Sequence, residues 1–351
     1  MTAPVLSVLD QSAAVSGRPH GASICGTLAL AQHCERLGYR RFWVSEHHNH
    51  DAIVGSAPEV LMGAIAATTT RIRIGAAGIM LPHYSALKVA EVFRVLEALA
   101  PGRVDMGLGR APGSDQLTAY ALNPNAAEAA EHFPSQVRDL MAWVSGGALP
   151  DTHPFRAVRA YPAGPTAPET WILGSSDYGA QVAGHFGLPY CFAYFFSDGR
   201  GTAQALHAYR ARFQPSPALA QPYASLCVWA LAAETEAEAE RQYHSRAAWR
   251  VLRDRGTLLP LPTPEEAAMV QFSPREQERL AAMRAQSFVG TPPQVAAKLN
   301  ALVAETGVQE LAIVTWATDE AVRQRSYALI AQEFGIAQEF GLSSAAVAAA
   351  A

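Results

Sequence analysis

Short apolar runs alternate with amphipathic stretches along most of the chain. Residues 5–9, 42–45, 72–81, 104–108, 170–173, 190–196, 224–232 and 311–316 are β-branched or aromatic runs of strand length, each bounded by Gly, Pro, Asp or Ser. Between and around them, apolar positions recur at helical spacing over 26–37, 58–69, 86–99, 127–144, 178–186, 203–213, 234–253 and 292–306. Ser23, Ser56, Ser85 and Asp177 stand where helix starts are expected, and Gly38, Gly187 and Gly307 where helices should stop.

Strands that read as continuous apolar runs are buried on both faces, as a parallel sheet covered by helices requires. Eight strands and eight helices in alternation predict a closed (β/α)8 TIM barrel spanning 1–341, with an Ala-rich tail at 342–351. The residues beyond a minimal barrel fall into two insertions, at 112–126 after strand 4 and at 256–290 before helix 8. An open doubly wound sheet is the weaker alternative, because the first strand is followed by Leu9-Asp10-Gln11-Ser12 and not by G-x-G-x-x-G. The segment AQEFG at 331–335 recurs at 337–341 and reads as a helix end followed by a frayed tail.

Composition narrows the function classes. With 27 Lys+Arg against 31 Asp+Glu and no basic run, the chain is not built to neutralise a row of phosphates, so nucleic acid is not an expected partner. The opening residues carry no basic n-region and no stretch of 18 apolar residues occurs, which points to a cytoplasmic protein with no membrane span. Cys25, Cys34, Cys191 and Cys227 form no C-x-x-C and read as buried, reduced thiols.

In a barrel the active site is built from the loops that follow the strands. Strand 2 runs into Ser45-Glu46-His47-His48-Asn49-His50-Asp51, a titratable cluster. A neutral imidazole suits proton transfer near pH 7. The cluster also permits a metal pair at His48-x-His50, for which strands 5 and 6 offer no further ligands, or a purely structural loop. No metal site is expected. Strand 3 ends Gly75-Ala76-Ala77-Gly78-Ile79-Met80, small enough for a flat ring to lie against backbone, although helix packing would use the same residues. Arg110 sits between glycines after strand 4, and Gly174-Ser175-Ser176-Asp177 opens the helix after strand 5. A guanidinium and a helix N-terminus from adjacent strands can converge on one phosphate. Phe192, Tyr194, Phe195, Phe196 and Trp316 suit an apolar or aromatic substrate, or fill the barrel.

Together EHHN after strand 2, GIMLP at strand 3, GRVDMGLGRAPGSD across strand 4, LGSSDYGAQVAGHFGLPY after strand 5 and FVGTPPQVAAKL before strand 8 resemble the bacterial-luciferase-like flavin-dependent monooxygenases. The likeness covers roughly 4–335 and is strongest to the non-luminescent branch that includes tailoring oxygenases of secondary metabolism. It implies a (β/α)8 barrel, a homodimer, and reduced FMN (FMNH2) delivered by a separate NAD(P)H:flavin reductase. Dioxygen would be activated as a flavin C4a-hydroperoxide. His47 would be the acid/base at the flavin's reactive edge with Glu46 as its catalytic neighbour. Arg110, Ser175 and Ser176 would meet the phosphate, and Met80 and Gly174 would complete the flavin contacts. The Ala77–Gly78 bond falls where the family often has a cis peptide under the isoalloxazine. Pro82-His83-Tyr84-Ser85 departs from the Asn-His-Ser usual after that Pro, and 256–290 matches nothing specific. F420-dependent hydride transfer on the related barrel, or a flavin binder without turnover, would keep much of this pattern.

Overall fold

The computed structural model describes residues 3–111 and 113–336. Eight parallel strands close into a barrel: β1 (Val5–Asp10), β2 (Arg41–Val44), β3 (Arg73–Met80), β4 (Val104–Gly109), β5 (Glu169–Gly174), β6 (Tyr190–Phe192), β7 (Ala224–Ala232) and, after a three-residue strand β8 (Phe288–Gly290), β9 (Glu310–Val314). Pairings run in sequence from β1 to β7, β7 pairs with β9, and β9 returns to β1, so these eight strands present no free edge. The strand β8 pairs only with the mouth end of β7, Ala230 opposite Phe288.

Helices cover the outside. They are α1 (His20–Leu37), α2 (Pro58–Thr68), α3 (Ala86–Leu99), α4 (Gln116–Leu122), α5 (Ala126–Glu131), α6 (Phe133–Ser145), α7 (Asp177–Phe186), α8 (Tyr194–Ser197), α9 (Thr202–Arg212), α10 (Glu236–Asp254), α11 (Pro264–Ala268), α12 (Pro274–Ala285), α13 (Pro292–Thr306) and α14 (Glu320–Glu333). Several starts are locally written. Ser85 accepts a hydrogen bond from Lys88 N–H at α3, and Thr235 accepts one from Glu238 N–H at α10. Gly38, Gly187 and Gly307 sit at φ +88°, +61° and +65° beyond α1, α7 and α13, a left-handed stop that costs glycine nothing.

The period-2 alternation of the strands divides the core in two. Residues such as Phe42, Val44, Ile74, Val104 and Ile172 face outward into the layer beneath the helices. Leu9, Trp43, Trp171, Cys191, Cys227, Trp229, Ala312 and Val314 face inward and fill the barrel. Room for the Trp43 indole comes from Gly75, whose missing Cβ would strike both that ring and Asp105.

Five expectations change. The helix over 292–306 is not the barrel's eighth, because it precedes the last strand. That role belongs to α14, so the 256–290 insertion (α11, α12 and β8) lies with α13 between strands 7 and 8 of the barrel. The run 190–196 is strand only to Phe192. The chain then turns into α8, because Ala193 leaves extended geometry (φ −78°, ψ 70°) and Asp198 closes the turn at φ +52°. The helix read at 127–144 breaks into α5 and α6 at His132, where Pro134 enters the first turn of α6. Ser23 lies inside α1, whose N-cap is Pro19, and Ala57 rather than Ser56 precedes α2. Cys34, Cys191 and Cys227 are buried free thiols as expected, whereas Cys25 is exposed. The second AQEFG and the Ala-rich tail lie outside the described residues.

Candidate active site

At the C-terminal ends of the strands a cavity of about 430 Å³ opens into the barrel. Its wall contains Glu46, His47, Ala77, Gly78, Met80, Arg110, Gly174, Ser175 and Ser176. All nine residues singled out in the sequence therefore meet in one place, brought from β2, β3, β4 and β5. Cys191 and Cys227 also line it, nearer the barrel centre.

One flank is flat and small. The Ala77–Gly78 peptide is cis, and pairing between β3 and β4 shifts register from Ala76 to Ile79 at this point. A Cβ on Gly78 would come within 3.0–3.1 Å of the backbone of Gly107 and Gly109, so no side chain fits between the two strands here.

At the outer end, the exposed Arg110 guanidinium lies 4.1 Å over the Tyr178 ring and has no carboxylate partner among the described residues. Ser176 is the N-cap of α7, yet its hydroxyl makes no capping hydrogen bond, and Asp177 is the first residue of the helix. Two exposed hydroxyls, an unneutralised guanidinium and the positive end of a helix form an anion cradle.

At the other end His47 is anchored by its N–H to the Gly55 carbonyl, and its Nδ1 is 3.2 Å from Ser45 Oγ. Burial, then the neighbouring His50 and His48, pushes its pKa down to about 4. The imidazole is thus neutral at physiological pH and able to accept a proton.

Glu46 behaves differently from its expected pairing with His47. Its carboxylate, 1% exposed, accepts from Met80 N–H (3.0 Å), from Tyr84 O–H (2.6 Å) and from His48 Nε2 (2.8 Å). These bonds tie the loop after β2 to the end of β3. Tyr84, missed in the sequence, was part of the departure at 82–85. His48 and His50 do not form a metal pair: Nε2 of His48 is held by Glu46, and His50 Nδ1 accepts from Ala52 N–H. Among the described residues no three His, Cys, Asp or Glu are grouped to hold a metal ion. The aromatic set also divides. Phe192 is packed in the outer core and Tyr194 against it, while Phe195 and Phe196 reach the cavity through α8.

A closed parallel barrel with a cavity at the C-terminal ends of its strands, lined by a neutral buried imidazole and an exposed guanidinium, has the architecture of a TIM-barrel enzyme. The chain belongs to the luciferase-like monooxygenase family, whose sequence profile matches residues 6–310. A luciferase-like monooxygenase of Escherichia coli (strain K12) is 37% identical over 323 residues, covering 92% of this chain and 95% of that protein. The solved structure of apo-MsnO8 superposes with a TM-score of 0.85 at 34% identity, covering 95% of this chain and 98% of the other. The oxygenating component of 3,6-diketocamphane monooxygenase from Pseudomonas putida, solved with FMN, shares the fold at TM-score 0.68 and 18% identity, over 95% and 98% of the two chains. The protein is accordingly an oxidoreductase of the monooxygenase kind. No helix among the described residues is long and apolar enough to cross a membrane.

Proposed function

We propose that the protein is a cytoplasmic FMNH2-dependent monooxygenase that oxygenates a small organic substrate with an apolar or aromatic body. The observation that carries this reading is the polarity of the slot, with an unneutralised Arg110 beside Ser175 and Ser176 at one end and neutral His47 at the other. Those residues fit FMN: the cradle suits its phosphate, and the backbone surface at Ala77–Gly78 suits its flat ring system. Bound FMNH2 would supply the two electrons that activate dioxygen for oxygen transfer. Arg110, Ser175 and Ser176 hold the phosphate end, Gly174 and Met80 bound the slot, and His47 takes or returns the proton at the reacting edge. Glu46 positions rather than reacts, because its lone pairs are already committed to Met80, Tyr84 and His48.

Electrons come from a separate NAD(P)H:flavin reductase in this reading, since no G-x-G-x-x-G follows a strand. A second copy of the chain would meet the face where α2 and α3 expose Val60, Val95 and Leu99, and sedimentation of the pure protein tests that homodimer. The decisive experiment measures oxygen uptake and product label from ¹⁸O₂ with FMNH2 or with reduced F420. Uptake with FMNH2 and labelled product is expected. Turnover with reduced F420 and no oxygen consumed would replace the monooxygenase reading by hydride transfer. NADPH with FMN but no reductase should give no turnover.

A further inference from the structure

Beside the flavin slot lies a second, smaller cavity of about 110 Å³. It shares Gln11, His47, Phe195 and Phe196 with the first, so the two are neighbours across His47. Its far wall is α10, which presents Arg246, Arg250 and Arg253 at i, i+4 and i+7, with Trp249 among them. Two of these cations are neutralised. Arg250 grips Asp198 through both terminal nitrogens at 2.7 Å, and Arg253 reaches Asp254 at 3.2 Å. Among the described residues Arg246 has neither a hydrogen-bond nor an ion-pair partner, although it is only 7% exposed. Its guanidinium stacks 4.4 Å over the Trp229 ring, while the nearby Asp198, held by Arg250, and Tyr243 offset only part of its burial.

That stacking does not balance the cost. A cation stacked on an indole recovers only part of what taking an ion out of water costs. Burial, followed by repulsion from Arg250, accordingly pushes Arg246 down to about 9, still protonated near neutrality. A second donor is idle nearby: the Trp229 indole N–H is buried and has no acceptor. Trp229 lines the same cavity as Arg246. Two unpaired donors and no unpaired acid at one wall call for a ligand that brings acceptors and negative charge.

We propose that this cavity binds a carboxylate of the substrate, with Arg246 as the anchoring residue. The apolar body of the substrate would lie among Phe195, Trp249 and Trp316, and its other end would reach His47. The substrate class is then an apolar or aromatic carboxylic acid oxygenated away from its carboxylate. A planar guanidinium matches a carboxylate through two parallel N–H···O bonds. The inference rests on the proposed function only in taking His47 as the reacting end.

Calorimetric titration of FMN-saturated protein with 4-phenylbutyrate and its neutral amide, 4-phenylbutyramide, tests it without turnover. The wild type should bind the carboxylate at least about 10-fold more tightly than the amide, the value of one charge-assisted contact. Arg246→Gln should erase that preference while leaving amide and FMN affinity unchanged, and Arg246→Lys should keep part of it. Equal affinity for the two probes in the wild type, or no binding of either, overturns the proposal. So does an Arg246→Gln variant that retains the preference, or that weakens both probes alike. If Arg246→Gln does not fold, the wild-type comparison and the Lys variant decide. Failure of the monooxygenase reading would show separately, as absent oxygen uptake with the carboxylate preference intact.

Discussion

The floor of this barrel, where inward-facing strand residues meet, and its mouth, built from the loops and helices after the strands, are both rich in charge, yet the charges are treated in opposite ways. At the floor Arg41 contacts Asp105 at 2.9 Å and Glu310 at 3.1 Å, and Arg73 contacts Asp105 at 2.5 Å. The remaining acceptor capacity is taken by Trp43 N–H on Asp105, Trp171 N–H on Glu169, and Tyr223 O–H on Glu310. Burial alone would lower Arg41, but these carboxylates outweigh it and hold the guanidinium well above its ordinary value. At the mouth the balance reverses. Among the described residues Arg110 and Arg246 have no ion-pair partner, the Ser176 hydroxyl caps nothing, and His47 is driven towards its neutral form. A saturated network serves the fold, and unsatisfied donors around a cavity serve a ligand.

The largest effect expected at the mouth is on rate. His47→Ala should lower product formation by about 10²–10⁴-fold, the range for a positioned acid/base, with FMN affinity and folding largely preserved. Steady-state turnover, flavin titration and thermal midpoint on one sample check this. Near-normal turnover would remove His47 from the chemistry and blur the contrast with the floor.

At the floor the cost should fall on stability instead. Asp105→Ala removes the fully buried carboxylate that Arg41 and Arg73 share, leaving Arg41 with Glu310 and both with the partly exposed Glu169, and should cost about 3–5 kcal/mol, measured by denaturant unfolding. A loss of that size with FMN affinity unchanged sharpens the division; a loss of flavin binding in protein that remains folded breaks it.

Arg110→Ala should remove one charge-assisted contact, about 1.5–3 kcal/mol, and so weaken FMN by about 10–150-fold. Riboflavin, lacking the phosphate, should be nearly unaffected. Equal losses for both flavins would move Arg110 from the ligand side of the comparison to the structural side.

The smallest effect is a pH dependence. Because the folded-state value of His47 lies near 4 and the unfolded value near 6.5, the unfolded chain binds the extra proton first as pH falls. Stability from this residue is full above about pH 6.5 and is lost as pH falls towards 4. Between pH 7 and pH 5 the loss should be about 2 kcal/mol, and His47→Gln should remove that share of the slope in denaturant titrations at the two pH values.

Much of the mouth was legible along the chain because each strand delivers its candidate site residue to the cavity within a few positions of its own end. Arg110 follows β4 directly, Ser175 and Ser176 follow β5, and His47 follows β2 by three residues. Strand and helix types were equally local, written in the period of apolar residues and in caps such as Ser85 and Gly187. What failed were features with partners far away in sequence. Glu46 could be placed but not its role, since that depends on Met80 and Tyr84, 34 and 38 residues later. The helix 320–333 was not separated as the eighth because its period is weak and its burial comes from closing on α1 and α13. Arg323 there pairs with Asp10, 313 residues away.

The sequence by itself determined the strand order, the closed-barrel class and the cluster of chemistry at the strand ends, because these follow from side-chain period and from residues adjacent to each strand. Only the tertiary structure decided which charges are neutralised. Arg246 and Arg250 are indistinguishable on the α10 stripe until α8 folds back and gives Asp198 to one of them and not to the other. Charge balance is a property of pairs in space, and the cost of leaving one member buried and alone is set by the cavity around it.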